Sequence, residues 1–526
     1  MPRLRTAAVA SLLVIPIVAG GFLLHQPPVH ASSLLLEQVM SLVRNQYVDS
    51  LPNTAMFEKA ARGLVRELND PYSELLAPKA AEDFNRTTGG RYGGTGMLIG
   101  EPTKGVFVVD RVFANTPAED AGVQVGDHIV SVENTSTANL VMGKVSELLR
   151  GEPGSKVSVV YARPGVSEPI KLQFTRRVVR LPAVAYTAML GDHVGYIPLQ
   201  TFNENTAEEV EAAVKELTKS GAKGIVLDMR DNGGGIVEQA LETSSLFLRE
   251  GQEIVNVRSR NQPTETARST GKHLSDSIPL VVLVDGGSAS ATEIVAGALQ
   301  DHDRALVVGS TSFGKGLVQS VYRLDAGYQL KITTGKWFTP SGRSIHRDRK
   351  LLADGEFVEV APDSVAAKGK PAPTYKSDAG RVVVGGGGIR PDVVIADDTT
   401  TTEQRSFLLS ISTTRQAINN VLQDYALELK GTVTRDFTVP SSWTPELMRR
   451  IAAAGVTIDP KFSSVAREML TRDLSLRVAR IAFGDAAVKT RIVGEDHQLM
   501  KALELLQHSS TQAQLLAAAS TRAPSR

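Results

Sequence analysis

The chain has 526 residues, a length that suggests roughly three to four domains. Its 58 lysines and arginines balance 57 aspartates and glutamates, so the charge does not indicate a nucleic-acid partner. The absence of cysteine excludes disulfides, zinc–thiolate sites and a cysteine nucleophile. The nine histidines are scattered and no His-Glu-x-x-His occurs, so we expect neither a metal site nor a cofactor.

The N-terminus, residues 1–31, has the pattern of an export signal. Arg3 and Arg5 precede a largely apolar run from Ala7 to Leu24, and small residues follow at Val29-His-Ala31. This order is typical of a signal peptide. The run also approaches the length of a membrane span, so an uncleaved inner-membrane anchor is the alternative. Either way we expect the remainder to be exported, to the periplasm or cell envelope.

Residues 32–85 are predicted to be mostly helical. Leu36, Val39 and Val43 recur on one helix face, and Asp70-Pro-Tyr-Ser73 then ends the helical pattern.

Residues 86–178 form a second unit that resembles a PDZ domain. Gly93-Gly-Thr-Gly96 precedes an apolar strand, and Pro117-Ala, Ala121-Gly-Val and Gly126-Asp127 follow at the spacing of that family. PDZ domains bind chain ends by adding a strand to a sheet edge, while loop N–H groups hold the terminal carboxylate. Without that spacing, residues Gly93 to Gly96 would be interpreted only as a hairpin turn.

The PDZ resemblance implies a set of peptide-binding residues. The carboxylate loop would consist of Gly94, Thr95 and Gly96. The groove would be lined by Met97, Ile99, Val145 and Leu149.

Residues 179–398 alternate between strand and helix patterns. His193 to Leu199 and Gly224 to Asp228 are predicted strands, with a helix between them. Such alternation favours an α/β layered core with mainly parallel strands. The fold class is therefore α/β and multidomain: a helical N-terminal segment, a β-rich PDZ unit, a layered core and a C-terminal extension.

The stretch from Asp285 to Gln319 carries the strongest functional signal. An apolar strand, Pro279 to Val284, leads into Gly-Gly-Ser-Ala-Ser290, and helical spacing follows. Ser290 would lie at a helix N-terminus, where N–H groups lack partners. Its oxygen could attack a carbonyl, with the N–H of Ala291 binding the oxyanion. The ordinary alternative is a helix-capping serine in a turn.

Three other motifs overlap this stretch imperfectly. Gly309 to Gly316 is nearly a P-loop, but Gly316 stands where Ser or Thr is needed and a strand follows. Ser312-Phe-Gly-Lys315 fits Ser-x-x-Lys without a helix or a later Lys-Thr-Gly. Gly-x-Ser-x-Gly fails at Ser290, its last position. A nucleotide hydrolase, with Ile225 to Asp228 as a Walker B strand, stays a minor alternative.

Taken whole, the stretch resembles the carboxy-terminal processing (tail-specific) proteases of the S41 type. The shared pattern is Gly-Ser-Ala-Ser-Ala-x-Glu-Ile, then Phe-Gly-Lys-Gly-x-Val-Gln. The resemblance implies Ser290 as nucleophile, Lys315 as base and Gln319 as its assistant. It also implies a second oxyanion donor from the glycine loop after Arg230, which we map to Gly234. Asp285 stands where the family more often has asparagine.

Two further parts of the chain bear on this interpretation. His302 is the competing base, in a charged cluster predicted to be a solvated helix end. The segment from Asp348 to Gly388 is polar and predicted to form a long loop. The resemblance extends from about residue 33 to 397.

Residues 399–526 carry no recognised motif. Amphipathic helical spacing, as at Ile418, Val421 and Leu422, predicts helices that pack on the peptidase. Self-association or adaptor binding through these helices is the alternative.

The predicted function is a serine endopeptidase that binds C-terminal regions of polypeptides through its PDZ domain and cleaves them with a Ser–Lys dyad. A catalytically silent PDZ-containing sensor or scaffold protein of the cell envelope is the alternative.

Overall fold

The computed structural model describes residues 29–260, 262–272, 274, 278–351, 357–359 and 372–520. The predicted export signal therefore lies almost wholly outside the described residues. Across those described ranges, no helix combines the length and the apolar character needed to cross a membrane.

The N-terminal segment is helical, as predicted, and ends in a short strand and a third helix. Its elements are α1 (Val29–Gln46), α2 (Asn53–Arg66), β1 (Glu74–Leu76) and α3 (Pro78–Gly89). Several large apolar side chains on α1 and α2 are exposed, among them Leu35, Leu42 and Leu64. Although β1 belongs to this segment in sequence, it forms part of a sheet of the peptidase unit.

The second unit is an antiparallel sheet with two short helices. In chain order its strands are β2 (Arg91–Gly94), β3 (Met97–Thr103), β4 (Val106–Val112), β5 (His128–Val132), β6 (Thr135–Ser136), β7 (Lys156–Ala162), β8 (Ile170–Thr175) and β9 (Arg177–Arg180). Its helices are α4 (Pro117–Asp120) and α5 (Met142–Leu149). The main sheet has the order β3-β4-β5-β7-β8, which leaves β3 at an edge, and β2 pairs with β9. Phe107, Tyr161 and Phe174 fill its core.

The third unit contains the most strands. In chain order they are β10 (Ala188–Leu190), β11 (Val194–Pro198), β12 (Gly224–Asp228), β13 (Glu253–Ser259), β14 (Glu265–Arg268), β15 (Leu280–Val284), β16 (Leu306–Gly309), β17 (Leu317–Arg323), β18 (Gln329–Phe338), β19 (Arg349–Leu351), β20 (Phe357–Glu359), β21 (Thr374–Lys376), β22 (Val382–Val384) and β23 (Val393–Val394). Its helices are α6 (Thr206–Lys219), α7 (Val237–Ser245) and α8 (Ala291–Asp301).

The central sheet has the order β10-β11-β12-β15-β16-β23 and is parallel apart from β10. β12 and β15 are buried on both faces, which explains their continuous apolar sequences. Because parallel strands end at the same edge, the loops after β12 and β15 lie side by side there. The predicted layered core is confirmed.

A second, antiparallel sheet has the order β1-β18-β13-β14, with β17 also paired to β18. The predicted long loop from Asp348 to Gly388 is partly wrong, because its described residues include the short strand pairs β19–β20 and β21–β22. Residues 352–356 and 360–371 of that segment lie outside the described part of the chain.

The C-terminal extension is helical. Its helices are α9 (Thr402–Ser410), α10 (Arg415–Leu429), α11 (Trp443–Ala453), α12 (Ser463–Phe483), α13 (Asp485–Ile492), α14 (His497–Gln507) and α15 (Gln512–Ser520). α14 packs on the peptidase, as predicted, with Leu499 and Leu506 against Val226 and Val281 of the central sheet. The sheet is thus covered by α6–α8 on one face and by α14 on the other.

The helices before α14 form a core of their own and reach the PDZ unit. Phe407, Trp443 and Leu474 lie in that core. A Cβ on Gly126, just before β5, would lie 2.7 Å from a methyl carbon of Leu427. The extension therefore contacts both the peptidase sheet and the PDZ unit.

Candidate active site

Ser290 lies at the turn where the buried strand β15 passes into α8. Its backbone has φ 58° and ψ −113°. Residues other than glycine rarely adopt positive φ, and such conformations cluster at functional turns. The turn places the serine at the N-terminus of α8, where backbone N–H groups lack helical partners. Ala291 is the first residue of that helix, so its N–H lies next to the serine.

The hydroxyl groups of two nearby serines, Ser288 and Ser312, are already hydrogen-bonded within the fold. Ser288 is fully buried, and its hydroxyl donates to a backbone carbonyl at 2.9 Å. The Ser312 hydroxyl donates to Glu293 at 2.6 Å and accepts the N–H of Ile389 at 2.6 Å. Ser290 is only partly buried, so it is the serine of this turn that a substrate can reach.

A buried glutamate joins the serine turn to the lysine loop. Glu293, in the first turn of α8, has no exposed surface. Its Oε2 accepts the N–H groups of Ser290 and Lys315, both at 2.8 Å. Its Oε1 accepts the N–H of Gly314 at 2.7 Å and the Ser312 hydroxyl at 2.6 Å. Burial raises the pKa of Glu293, while these four donors act in the opposite direction.

Lys315 lies in an irregular loop just before β17, and it is partly buried. Its amine nitrogen is 5.0 Å from the centre of the Tyr72 ring. Burial lowers the pKa of the Lys315 amine, and the positive charge of Lys331 lowers it further, while Glu293 and Asp70 act in the opposite direction. A lysine that gives up its proton readily is what a general base at neutral pH requires.

The glycine loop after β12 approaches the serine turn closely. A Cβ on Gly234 would lie 2.9 Å from the Ala291 nitrogen and 3.0 Å from the Ser290 Cβ. The Gly234 N–H, our expected second oxyanion donor, instead donates to the side-chain oxygen of the loop's asparagine at 3.0 Å. The N–H groups of Gly233 and Gly235 donate to no residue in the described part of the chain. An asparagine turn thus occupies the Gly234 N–H, and the two glycines within one residue of the expected donor keep N–H groups without a described partner.

That asparagine, Asn232, fastens the glycine loop to the serine turn and was missed by the sequence analysis. Its side chain is fully buried and donates to the carbonyl of Leu199 at 2.8 Å. Its backbone carbonyl accepts the N–H of Ala289 at 3.0 Å and the Thr292 hydroxyl at 2.8 Å. An asparagine directly before a glycine triplet was the available signal.

Gln319 lies on β17 next to an irregularity in its pairing with β18. Its amide nitrogen is 3.3 Å from the Thr333 hydroxyl, to which it donates. Lys315 and Gln319 are both described, and no hydrogen bond joins them. The expected direct orientation of Lys315 by Gln319 is therefore not present in this conformation.

His302 is not placed to serve as the base. It follows the last residue of α8, an 11-residue helix, and so lies about 16 Å from the serine end. Its ring bonds to Asp378 and to the Glu253 carbonyl, both at 2.7 Å. The predicted solvated helix end is wrong, because Asp301 is buried and paired with Arg343 at 2.7 Å. Among the described residues, no group of acidic and histidine side chains is arranged to hold a metal ion.

The two other motif interpretations fail on secondary structure. Residues 310–316 form neither helix nor strand, and strand β17 follows them directly. A P-loop needs a helix after its lysine. The Ser-x-x-Lys enzymes need serine and lysine on one helical turn.

The predicted PDZ residues lie together around β3 and α5. Gly94 ends β2, Gly96 has φ +89°, and Met97 and Ile99 lie on the edge strand β3. Thr95, between the two glycines, is almost fully buried at 2% exposure.

The helix side of the predicted groove needs correction. Val145 is 0% exposed and Leu149 is 5% exposed, and both pack in the core with Met97. A residue without exposed surface cannot contact a peptide, so Val145 belongs to the core in this conformation. Met142 and Leu148 of α5 are the partly exposed apolar residues of this helix.

A cleft of about 2190 Å³ runs from the serine turn to the C-terminal helices. Asp285 to Gly287 and Asp231 line the end nearest Ser290, and residues of α12 and α14 line the other end. Neither Ser290 nor Lys315 lines this cleft.

Comparison with known proteins points to one kind of enzyme. The pattern described as Peptidase family S41 matches residues 193–364, and that of the PDZ domain matches residues 108–163. The chain is 36% identical over 339 residues to a carboxy-terminal-processing protease of Bartonella bacilliformis, covering 63% of this chain and 74% of the relative. It is 33% identical over 347 residues to carboxy-terminal processing protease CtpA of Bacillus subtilis, covering 65% and 74%. A solved photosystem II D1 C-terminal processing protease matches at 32% identity and a TM-score of 0.35, covering 58% of this chain and 82% of that one.

Proposed function

The chain belongs to peptidase family S41, and we propose that it cleaves polypeptides as a serine endopeptidase with Ser290 as nucleophile and Lys315 as general base. One observation carries the proposal: a single buried carboxylate, Glu293, accepts the backbone N–H groups of both residues at 2.8 Å. Two segments far apart in sequence are thereby held at one place, next to the glycine loop.

The reaction begins when Ser290 Oγ attacks the scissile carbonyl and its proton passes to the neutral Lys315 amine. The resulting ammonium group then gives that proton to the leaving amine, which releases the first product. Water attacks the acyl-enzyme, again with Lys315 as base, and frees Ser290. The lowered pKa of Lys315, caused mainly by burial, supports this role because only the neutral amine can accept a proton.

The oxyanion is held by backbone N–H groups. Ala291 supplies one, at the N-terminus of α8, and the glycine loop supplies the other. Because the Gly234 N–H is already engaged, we assign the second donor to its neighbours, Gly233 or Gly235.

The PDZ domain recruits the C-terminal region of the substrate. The position of β3 at the end of its sheet supports strand addition, and the loop Gly94 to Gly96 supports carboxylate binding. Full-length Ser290→Ala protein should bind a labelled peptide with a free carboxyl terminus in fluorescence anisotropy and bind its amidated form much more weakly. Equal binding of the two peptides would exclude carboxylate recognition.

A fluorophosphonate probe tests the catalytic proposal directly. Covalent labelling of the purified chain should be found at Ser290 by mass spectrometry and be lost in Ser290→Ala. The control is Ser310→Ala, whose hydroxyl bonds to Asp397 and not to Glu293, and it should still be labelled at Ser290. If the wild-type chain resists labelling and also fails to cleave denatured protein, the silent scaffold is the better description.

A further inference from the structure

The chain on either side of Lys315 has little rigidity of its own. The lysine lies between Gly314 and Gly316, before strand β17 begins at Leu317. Gly314 has φ +88°, a conformation that glycine adopts readily, and glycine restricts the backbone less than any other residue. The direction in which the lysine side chain leaves the backbone must therefore be fixed by hydrogen bonds from other parts of the chain.

Both backbone polar groups of Lys315 are bonded to side chains. Its N–H donates to Glu293 Oε2 at 2.8 Å, and its carbonyl accepts the indole N–H of Trp337 at 3.1 Å. No backbone N–H in the described part of the chain donates to that carbonyl. Because Lys315 precedes β17, the strand ladder supplies no partner there, and an unpaired carbonyl away from water costs free energy. The indole therefore takes the place of a strand neighbour.

Trp337 occupies a fixed position in the peptidase core. Its exposure is 1%, and it belongs to the main apolar cluster. On β18 it lies opposite Val257 of β13, and its backbone N–H donates to the carbonyl of Gly316 at 3.1 Å. One tryptophan thus binds two successive carbonyls, those of Lys315 and Gly316, through its side chain and its main chain.

The position of the acceptor distinguishes this contact from ordinary core packing. A buried indole N–H usually finds a hydrogen-bond partner, wherever it lies. Here the acceptor belongs to one of the two peptide groups that flank the Cα of Lys315, and Glu293 holds the other. When both peptide planes are fixed, the Cα–Cβ bond between them has one direction.

We propose that Trp337 is a positioning residue for Lys315: its indole N–H, together with Glu293, sets the direction in which the side chain of the base leaves the backbone. This inference rests on the proposed role of Lys315 as base. Loss of the N–H should slow the reaction and leave substrate binding unchanged, because Trp337 is buried and cannot contact a substrate. A misplacement of about 1 Å at a catalytic group can lower a rate about 100-fold.

The first experiment removes the N–H and keeps the ring. The chain has two tryptophans, so Trp443→Phe leaves Trp337 as the single one. This full-length variant is produced in a tryptophan auxotroph supplied with 3-benzothienylalanine, in which sulfur replaces the indole N–H. On quenched fluorescent casein, kcat should fall about 10- to 100-fold while KM changes less than about twofold. An unchanged kcat would overturn the inference.

The reference is the Trp443→Phe protein made with ordinary tryptophan. Trp443 lies in the separate core of the C-terminal helices, so this protein should cleave at the wild-type rate. Because the benzothienyl ring has nearly the shape of indole, the two proteins should unfold at similar temperatures. A fall in kcat at an unchanged unfolding temperature supports a positioning role.

The second experiment asks whether the effect passes through the lysine. The same exchange is made in a protein with Trp443→Phe and Lys315→Ala, and the rate of fluorophosphonate labelling of Ser290 is measured with and without the N–H. Without the base there is no group to position, so the residual rate should change less than about twofold. With Lys315 present, the labelling rate should fall about tenfold or more. Equal falls in both backgrounds would show an effect of packing and overturn the inference.

The outcomes separate the failure of this inference from that of the dyad. Full cleavage of casein by Lys315→Ala would reject the dyad, whatever the exchange at Trp337 does. An inactive Lys315→Ala protein together with a normal kcat in the benzothienyl protein would keep the dyad and reject the inference.

Discussion

Glu293 and Lys315 are joined by a hydrogen bond of 2.8 Å between the glutamate Oε2 and the lysine backbone N–H. The same oxygen accepts the N–H of Ser290 at the same distance. The carboxylate therefore anchors the backbones of Ser290 and Lys315 at one place. A buried acid thereby fixes the relative backbone positions of the two residues that we propose as nucleophile and base.

Glu293→Gln should therefore lower both stability and activity. An amide offers one acceptor oxygen where the carboxylate offers two, so at least one N–H of the site loses its partner. We expect a loss of about 2–3 kcal/mol in the free energy of unfolding and a fall in kcat with little change in KM. Thermal unfolding and steady-state kinetics measure the two effects. Glu216→Gln, on the exposed face of α6, is the control, and equal effects of both substitutions would contradict the prediction.

The pH dependence of kcat/KM should report Lys315. The base acts when neutral, so activity should fall as pH drops through the lowered pKa of this amine. Since burial and Lys331 both lower that pKa, the enzyme should work well below the pH at which free lysine titrates.

His346 is a second group whose titration could affect the pH dependence of kcat/KM. Burial lowers its pKa as well, and it packs against Gly316. His346→Gln should leave the acid limb in place, and disappearance of the limb would transfer the titration from Lys315 to His346.

Gly234→Ala should inactivate the enzyme while a nearby glycine tolerates the same change. Gly234 has φ +95°, and a Cβ there would lie 2.7 Å from the Ala289 carbonyl oxygen and 2.9 Å from the Ala291 nitrogen. We expect a strain of about 1–3 kcal/mol and a shift of the oxyanion donors, seen as a fall in kcat. At Gly286, in the serine turn, a Cβ would meet nothing within 4 Å, so Gly286→Ala should fold and cleave normally.

Asp496→Asn tests the link between the glycine loop and the C-terminal extension. Asp496, which precedes α14, accepts two hydrogen bonds of 2.8 Å from Arg230 and one of 2.8 Å from Lys489. Burial alone would raise the pKa of Asp496, but these two cations outweigh it and hold the pKa below its ordinary value. At pH 7 we expect the substitution to cost about 3 kcal/mol.

The sign of the pH effect follows from the lowered pKa. The ionised carboxylate contributes stability above its unfolded pKa, and that contribution is lost as pH falls through the folded pKa. The melting temperatures of wild type and Asp496→Asn should therefore converge in acid. Glu495→Gln, in an exposed pair with Arg472, should cost less than about 1 kcal/mol and serves as the control.

Much of the fold could be read from local patterns. The alternation of strands and helices in residues 179–398 predicted the layered core, because continuous apolar runs such as Leu280–Val284 are typical of buried parallel strands. The Gly-Ser-Ala-Ser-Ala and Phe-Gly-Lys-Gly motifs directed attention to Ser290 and Lys315. These features depend on residues close together in the chain.

Contacts between distant segments could not be predicted in this way. Glu74 and Lys331 come together only because β1 pairs with β18. His302 is half-buried, and its ring bonds to Asp378, which is far along the chain. The Gly234 N–H bonds to a residue close in sequence, Asn232. The rotamer of Asn232, however, is fixed by its hydrogen bond to the carbonyl of Leu199, which is distant in sequence. Each of these contacts depends on where the residues lie in three dimensions, which residue type alone does not indicate.

The position of α14 determines what self-cleavage would do to the stability of the enzyme. This helix seals one face of the sheet that carries the serine turn, and Gln512 of α15 accepts the N–H of Leu280 at 2.8 Å, directly on the strand before that turn. A cut between α13 and α14 would uncover Val226, Val281 and Leu283, whose burial stabilises the core. Removal of its own C-terminal helices would therefore destabilise the peptidase core. An enzyme molecule that cut itself there would lose activity, which would limit further self-digestion.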